Sequence, residues 1–226
     1  PLRIIFLLSF LLNIFFNGAS ANEAVTLLKK MSNSMRTHTY AGTLIYSRAG
    51  NLVTMNVNHA FKDGKESFKL RRLSGVPTER AKVGDIILHS FPGPAIMRSG
   101  YPIPHGIEFS HDYFTKSPYL FEILSQERVA ERSVTCVVAE PLDSHRYKYK
   151  FWIDNETYLM LKAMTINNEG RIGEEFEFSE IHPGGLESKN IKPSDRLQIR
   201  VHAIIPGQKL ADFSPSTWFP SGYSLV

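Results

Sequence analysis

Cysteine is almost absent. Cys136 stands alone, so the chain can close no internal disulfide and carries no zinc ribbon or CxxC redox pair. There is no G-x-S-x-G elbow, no G-x-x-x-x-G-K-[ST] loop and no H-E-x-x-H pair, so the usual signatures of hydrolase, nucleotide and zinc-protease chemistry are missing. Gly64-Lys65 lacks both the upstream glycine and the following hydroxyl that a phosphate loop needs. No block of lysine and arginine is dense enough for nucleic acid, and the net charge of +4 favours anionic partners without naming one. Internal repeats and low-complexity tracts are also missing. What remains, 226 residues with near-average hydrophobic and charged content, suffices for one sizeable core that buries roughly 70% of the unfolded surface without metal or crosslink.

The first segment reads as an address. Arg3 precedes an apolar stretch from Ile4 to Phe16, and Ala19-Ser20-Ala21 closes it. A cationic start, a short apolar run and an A-x-A end describe a cleavable secretory signal over residues 1–21. The competing reading, a membrane-spanning helix, needs roughly 20 apolar residues and the run is shorter. Cleavage would leave a chain from Asn22 onward, exported to an oxidising compartment, with no cysteine at its start to carry lipid.

One helix and many strands follow. Asn22 is placed to cap a helix whose Ala24, Leu27, Leu28, Met31 and Met35 fall on one face. From Tyr40 the period changes to two, as in Val53, Met55, Val57, His59 and Phe61. Turn signals at 48–51, 62–65 and 74–77 leave connections too short for parallel crossovers, so the pattern predicts an antiparallel meander. Further strands are expected at Glu66–Leu73, Thr78–Val83, Ile86–Ser90, Ser133–Glu140, Arg146–Ile153, Tyr158–Asn167 and Glu174–Ile181. Ser117-Pro118 is expected to open a short helix through Leu124.

Between Phe91 and Gly106, four prolines exclude a regular strand. Phe91, Ile96, Met97 and Tyr101 make this loop apolar, which suits either a lid at the rim of a curved sheet or a cover for the core. His59, on an apolar strand face, reads as a hydrogen-bonded core histidine. Cys136, inside Val134-Thr135-Cys136-Val137-Val138, reads as a small buried hydrophobe rather than a nucleophile. Glu175 and Glu177 alternate with Phe176 and Phe178, which assigns the two glutamates to a solvated face. The scattered histidines suggest no metal site, and nothing calls for a cofactor. Together these residues read as a binding protein rather than an enzyme.

Two rows of cations stand out. In Arg146-Tyr147-Lys148-Tyr149-Lys150-Phe151, a period of two puts three cations on one face and three aromatics on the other. Lys69 and Arg71 make a shorter row. Plain solvation and contact with an anionic partner both remain open for each.

Several stretches in order resemble the sigma-E regulatory protein family, RseB/MucB: Tyr40-Ala41-Gly42-Thr43-Leu44-Ile45-Tyr46, Glu127-Arg128-Val129-Ala130, Cys136, Pro141, Asp143, Arg146-Tyr147, Phe151-Trp152-Ile153-Asp154, Glu175-Phe176-Glu177-Phe178 and Trp218-Phe219-Pro220-Ser221-Gly222-Tyr223. Glu131 stands where that pattern has glycine. The resemblance implies a periplasmic protein of α+β class, mainly β: a large antiparallel, unclosed β-barrel with helical cover over 22–204, similar to the lipoprotein carrier LolA. A linker at 205–216 and the first residues of a small C-terminal domain at 217–226 would follow. It implies binding to the periplasmic part of a membrane anti-sigma factor, protection of that factor from regulated proteolysis, and displacement by lipopolysaccharide or lipoprotein acyl chains. The alternative is a periplasmic lipid or lipoprotein carrier. The candidate lipid- or partner-binding residues are Arg146, Lys148, Lys150, Lys69, Arg71, Phe91, Ile96, Met97 and Tyr101, with homo-oligomerisation left open and only peripheral membrane contact expected.

Overall fold

The computed structural model describes residues 21–48, 50–75, 77–83, 86–89, 117–185, 191 and 200–201. The signal segment before Ala21, the Phe91–Gly106 loop, the linker at 205–216 and residues 217–226 lie outside those residues. A helix, α1 (residues 21–37), precedes eleven strands: β1 (Tyr40–Arg48), β2 (Asn51–Lys62), β3 (Lys65–Arg72), β4 (Glu79–Val83), β5 (Ile86–His89), β6 (Tyr119–Val129), β7 (Arg132–Pro141), β8 (Lys148–Asp154), β9 (Met160–Ile166), β10 (Ile172–Pro183) and β11 (Arg200–Val201). They form one antiparallel sheet in the order β11-β5-β4-β3-β2-β1-β10-β9-β8-β7-β6. Pairing of β1 with β10 joins the β1–β5 meander to the β6–β10 meander. The end strands β11 and β6 do not pair with each other, so the sheet is unclosed.

Turn residues set the register. Asp63 and Gly64 both adopt positive φ, 51° and 73°, between the paired Lys62 and Lys65. Two left-handed residues make the primed turn whose twist matches a hairpin. The β6–β7 hairpin has the same geometry with Ala130 and Glu131 at φ 48° and 64°. The turn that lacks its expected glycine therefore forms anyway, with side chains in a region that L-residues disfavour.

The core lies between α1 and one face of the sheet. Ala24, Leu28, Met31 and Met35 are fully buried and share a cluster with Leu44, Val57, Phe151, Phe176 and Phe178. Asn22 is already helical, its carbonyl accepting Thr26 Oγ1 at 2.8 Å, so it is not the cap. Register carries the inner face outward from β1. Leu44 faces Met55 and Phe178, Val57 faces Leu70, and His59 faces Phe68. On the other wing Phe176, Ala163, Phe151 and Val137 lie in line. Each large side chain buried this way stabilises the fold by about 1.5–3 kcal/mol. Gly42 sits where a Cβ would come within 2.3 Å of the Glu180 carbonyl oxygen, so only glycine lets β1 approach β10 there.

Residues 119–124 are strand, not the expected helix. Tyr119 and Phe121 are buried while Leu120 and Glu122 are exposed, and the segment pairs with β7 from Tyr119↔Pro141 onward. A helix would have turned Tyr119 and Phe121 to nearly opposite sides, whereas a strand buries both. Pro118 lies just before the strand, where its missing N–H removes no ladder bond, and its carbonyl accepts Leu142 N–H at 2.9 Å.

Candidate functional site

The face away from α1 carries most of the candidate cations, and carboxylates meet several of them. Lys148 pairs with Glu140 at 2.9 Å and Lys69 with Glu79 at 3.5 Å. Arg71 is exposed at the end of β3, opposite Asn56 and Glu79. Lys150 is half-buried beside Val138 and Met164. The two rows do not merge. Strands β2, β1, β10 and β9 separate β3 from β8, which is about 24 Å along the sheet at normal strand spacing.

Arg146 departs from the three-cation row. Residues 146 and 147 precede β8, so strict alternation does not reach them. Arg146 is buried and pairs with Asp143, whereas Tyr147 is 50% exposed. The row on the strand is Lys148 and Lys150. Phe91, Ile96, Met97 and Tyr101 lie outside the described residues.

This outer face is not simply solvated. Trp152, Cys136 and Val138 are buried on it, roofed by long polar side chains whose stems cover apolar area. Trp152 Nε1 donates to Glu127 Oε2 at 2.8 Å, and Lys162 Nζ lies 5.1 Å from the indole centre. Lys162 also reaches Glu175 at 3.0 Å and Glu177 at 2.7 Å. The two glutamates are therefore half-buried partners of a lysine rather than free solvent groups. Burial pushes the Cys136 thiol up to about 11, the opposite of what a nucleophile needs.

The inner face is apolar across β1, β2 and β7–β10 and turns polar toward β4. His59 is the hydrogen-bonded core histidine the alternation called for. Its Nδ1 donates to the His38 carbonyl at 2.8 Å, its Nε2 lies 3.1 Å from Glu66 Oε1, and Tyr40 stacks on the ring at 4.8 Å. Lys82 Nζ donates to the other Glu66 oxygen at 2.6 Å. Burial raises the proton affinity of Glu66, but the hydrogen bonds from His59 and Lys82 and the Lys82 charge outweigh it, holding the carboxyl below its ordinary range. Arg80 stands on the same face, opposite Leu70, with its guanidinium carbon 5.9 Å from the Phe68 ring centre. Sequence reasoning missed Glu66, Arg80 and Lys82 as inner-face charges. The available signal was parity: in Glu79-Arg80-Ala81-Lys82, whichever side Ala81 takes, both cations take the other. Among the described residues no three His, Cys, Asp or Glu side chains group so as to hold a metal ion, and no helix is long and apolar enough to cross a membrane.

The family model for the MucB/RseB N-terminal domain matches residues 23–198. The sigma factor AlgU regulatory protein MucB of Pseudomonas aeruginosa is 25% identical over 215 residues, which cover 92% of this chain and 66% of that protein. This chain thus spans just under two thirds of that relative's length. The sigma-E factor regulatory protein RseB of Escherichia coli K12 is 24% identical over 219 residues, covering 94% and 69% respectively. Among solved structures, the P. aeruginosa MucA/MucB complex superposes with a TM-score of 0.71 at 23% identity, covering 88% of this chain and 68% of the matched one. At that identity the superposition establishes the shared fold: an unclosed antiparallel sheet with a covering helix.

Proposed function

This chain belongs to the MucB/RseB N-terminal domain family, and on that premise we propose that it is a periplasmic regulatory binding protein. It engages the periplasmic part of a membrane anti-sigma factor, shields it from the protease that starts the envelope-stress response, and releases it when lipopolysaccharide or lipoprotein acyl chains bind. The family match over residues 23–198 carries this reading. The solved complex of MucB with MucA supports a protein partner for this fold. No covalent step is required. Lipid and anti-sigma factor favour different states of one protein, so each weakens the binding of the other by the same factor.

The test is capture of the purified periplasmic segment of the organism's own membrane anti-sigma factor, followed by titration with lipopolysaccharide. The expected result is a complex that protects the segment from regulated proteolysis and dissociates as lipopolysaccharide is added. No capture, or capture that lipopolysaccharide leaves intact, overturns the regulatory reading. Transfer of lipoprotein between membranes without capture would replace it with the carrier reading.

A further inference from the structure

The C-terminal end of α1 is tied to both wings of the sheet by polar groups in series. Ser34, on the helix and 2% exposed, has a single hydroxyl hydrogen and gives it to the Thr157 carbonyl in the β8–β9 turn. Its oxygen lies 3.0 Å from His38 Nδ1, so that nitrogen must be the donor between them. The His38 carbonyl accepts in turn from His59 Nδ1 on β2 at 2.8 Å. His59 Nε2 lies 3.1 Å from Glu66 Oε1 on β3, and Lys82 on β4 donates to the other carboxylate oxygen at 2.6 Å. Along the sheet, β2, β1, β10 and β9 stand between Glu66 and the Thr157 turn, about 24 Å at normal strand spacing. The helix end bridges that span.

Donors and acceptors fix the state of the central ring. The His38 carbonyl and the Glu66 carboxylate both accept, and they face the two nitrogens of His59. Burial works against the Glu66 charge, but the hydrogen bonds from His59 and Lys82 hold its carboxyl below the ordinary range. A neutral imidazole has one N–H and would turn a lone pair toward one of these oxygens. At 1% exposure, solvent does not relieve such a contact. Both contacts are hydrogen bonds only when both nitrogens carry hydrogen. Tyr40, stacked on the ring at 4.8 Å, offers its face to that cation. We propose that His59, as a buried imidazolium between Glu66 and the His38 carbonyl, is a latch: it fastens α1 to the β1–β5 wing and, through Ser34, couples that wing to the β8–β9 turn. In the open position the ring loses the carboxylate, the His38 carbonyl is freed and the helix end frays, which releases the turn.

The test uses the full chain and two readouts. Amide hydrogen exchange at residues 155–159 reports the far end of the series. Glu66→Ala should speed exchange there about tenfold or more, the ratio that a lost hydrogen bond to a charged group corresponds to. Glu66→Gln, whose amide still meets the ring, should restore most of the protection. The control Lys62→Gln, an exposed change in the same hairpin, should leave 155–159 as they were. Nitrogen-15 NMR of the His59 ring is the second readout: both nitrogens should show N–H shifts at neutral pH in the unmodified protein, and one in Glu66→Gln. Should Glu66→Ala fail to fold, Ser34→Ala enters the series from its other end and must speed exchange around the His59–Phe68 pair by a similar factor. Unchanged exchange at the remote end of the folded variant, the same change in the Lys62 control, or a His59 ring with one bare nitrogen in the unmodified protein overturns the proposal. No partner or lipid enters this experiment, so its outcome is separate from that of partner capture.

Discussion

Removing the Asp154 carboxylate should loosen the attachment of α1 to the sheet. Asp154 is 1% exposed and accepts four hydrogen bonds: Arg132 Nε at 2.8 Å, Arg132 Nη2 at 3.0 Å, Thr157 N–H at 2.8 Å and Thr157 Oγ1 at 2.5 Å. Those bonds shape the turn from β8 to β9, and the turn holds the helix. Ser34 Oγ donates to the Thr157 carbonyl, Met160 N–H points at Met35 Sδ at 3.2 Å, and Lys30 Nζ lies 4.7 Å from the centre of the Tyr158 ring. Breaking a buried pair from one side costs about 3–5 kcal/mol. Arg132 is 23% exposed and keeps Glu156 at 2.7 Å, so its stranded charge is partly relieved. Asp154→Ala is therefore expected at the lower end, about 3 kcal/mol. Urea denaturation followed by tryptophan fluorescence measures it. Adding Arg132→Ala should cost less than the sum of the single changes, by about 0.5–3 kcal/mol, because the orphaned cation is then gone. A loss below about 1 kcal/mol, or strict additivity, refutes the claim that this pair pins the turn. The same group sets a pH dependence. Burial pushes the Asp154 carboxyl up, but the hydrogen bonds from Arg132 and Thr157 and the Arg132 charge outweigh it, so its folded value lies below the ordinary 3.8. A depressed carboxylate contributes stability above its unfolded value and loses it as pH falls through the folded one. Stability should accordingly fall below about pH 4, and Asp154→Asn should flatten that part of the curve.

Two smaller perturbations probe other parts of the fold. Glu131→Gly should stabilise the protein by about 1 kcal/mol, since glycine adopts the observed φ of 64° without the penalty of a Cβ; a thermal melt that does not rise contradicts the assigned turn. Cys136, buried with its thiol pushed up to about 11, should resist a soluble maleimide at pH 8 in the native protein and react fully in denaturant. Rapid native labelling would show that the Trp152 roof does not exist.

Much of the architecture was legible because periodicity reports local geometry directly. The stripe of Ala24, Leu28, Met31 and Met35 and the alternation through β2 and β10 each state which side chains share a face. Residues 119–124 read as helix from sequence because Ser-Pro is also a helix-opening signal and the alternation there is short. What settled them was pairing with β7, a non-local fact. The candidate site was less legible. Lys69, Lys148 and Lys150 were placed on strands correctly, but no local pattern says that Glu79 and Glu140 lie opposite two of them. Arg146 shares the sequence alternation of a row that in the structure begins two residues later.

By itself the sequence determined the element types outside residues 119–124, the early hairpin turns and the fate of Cys136 and His59, because those depend on neighbours a few residues away or on a face already declared by alternation. It also carried enough ordered residues to announce its family. Only tertiary structure decided which wing each strand joined, since β1 meets β10 across more than a hundred residues and ends up as the hinge of the sheet. It alone decided which cations were neutralised, because charge pairing depends on register between strands, and register is a property of the assembled sheet.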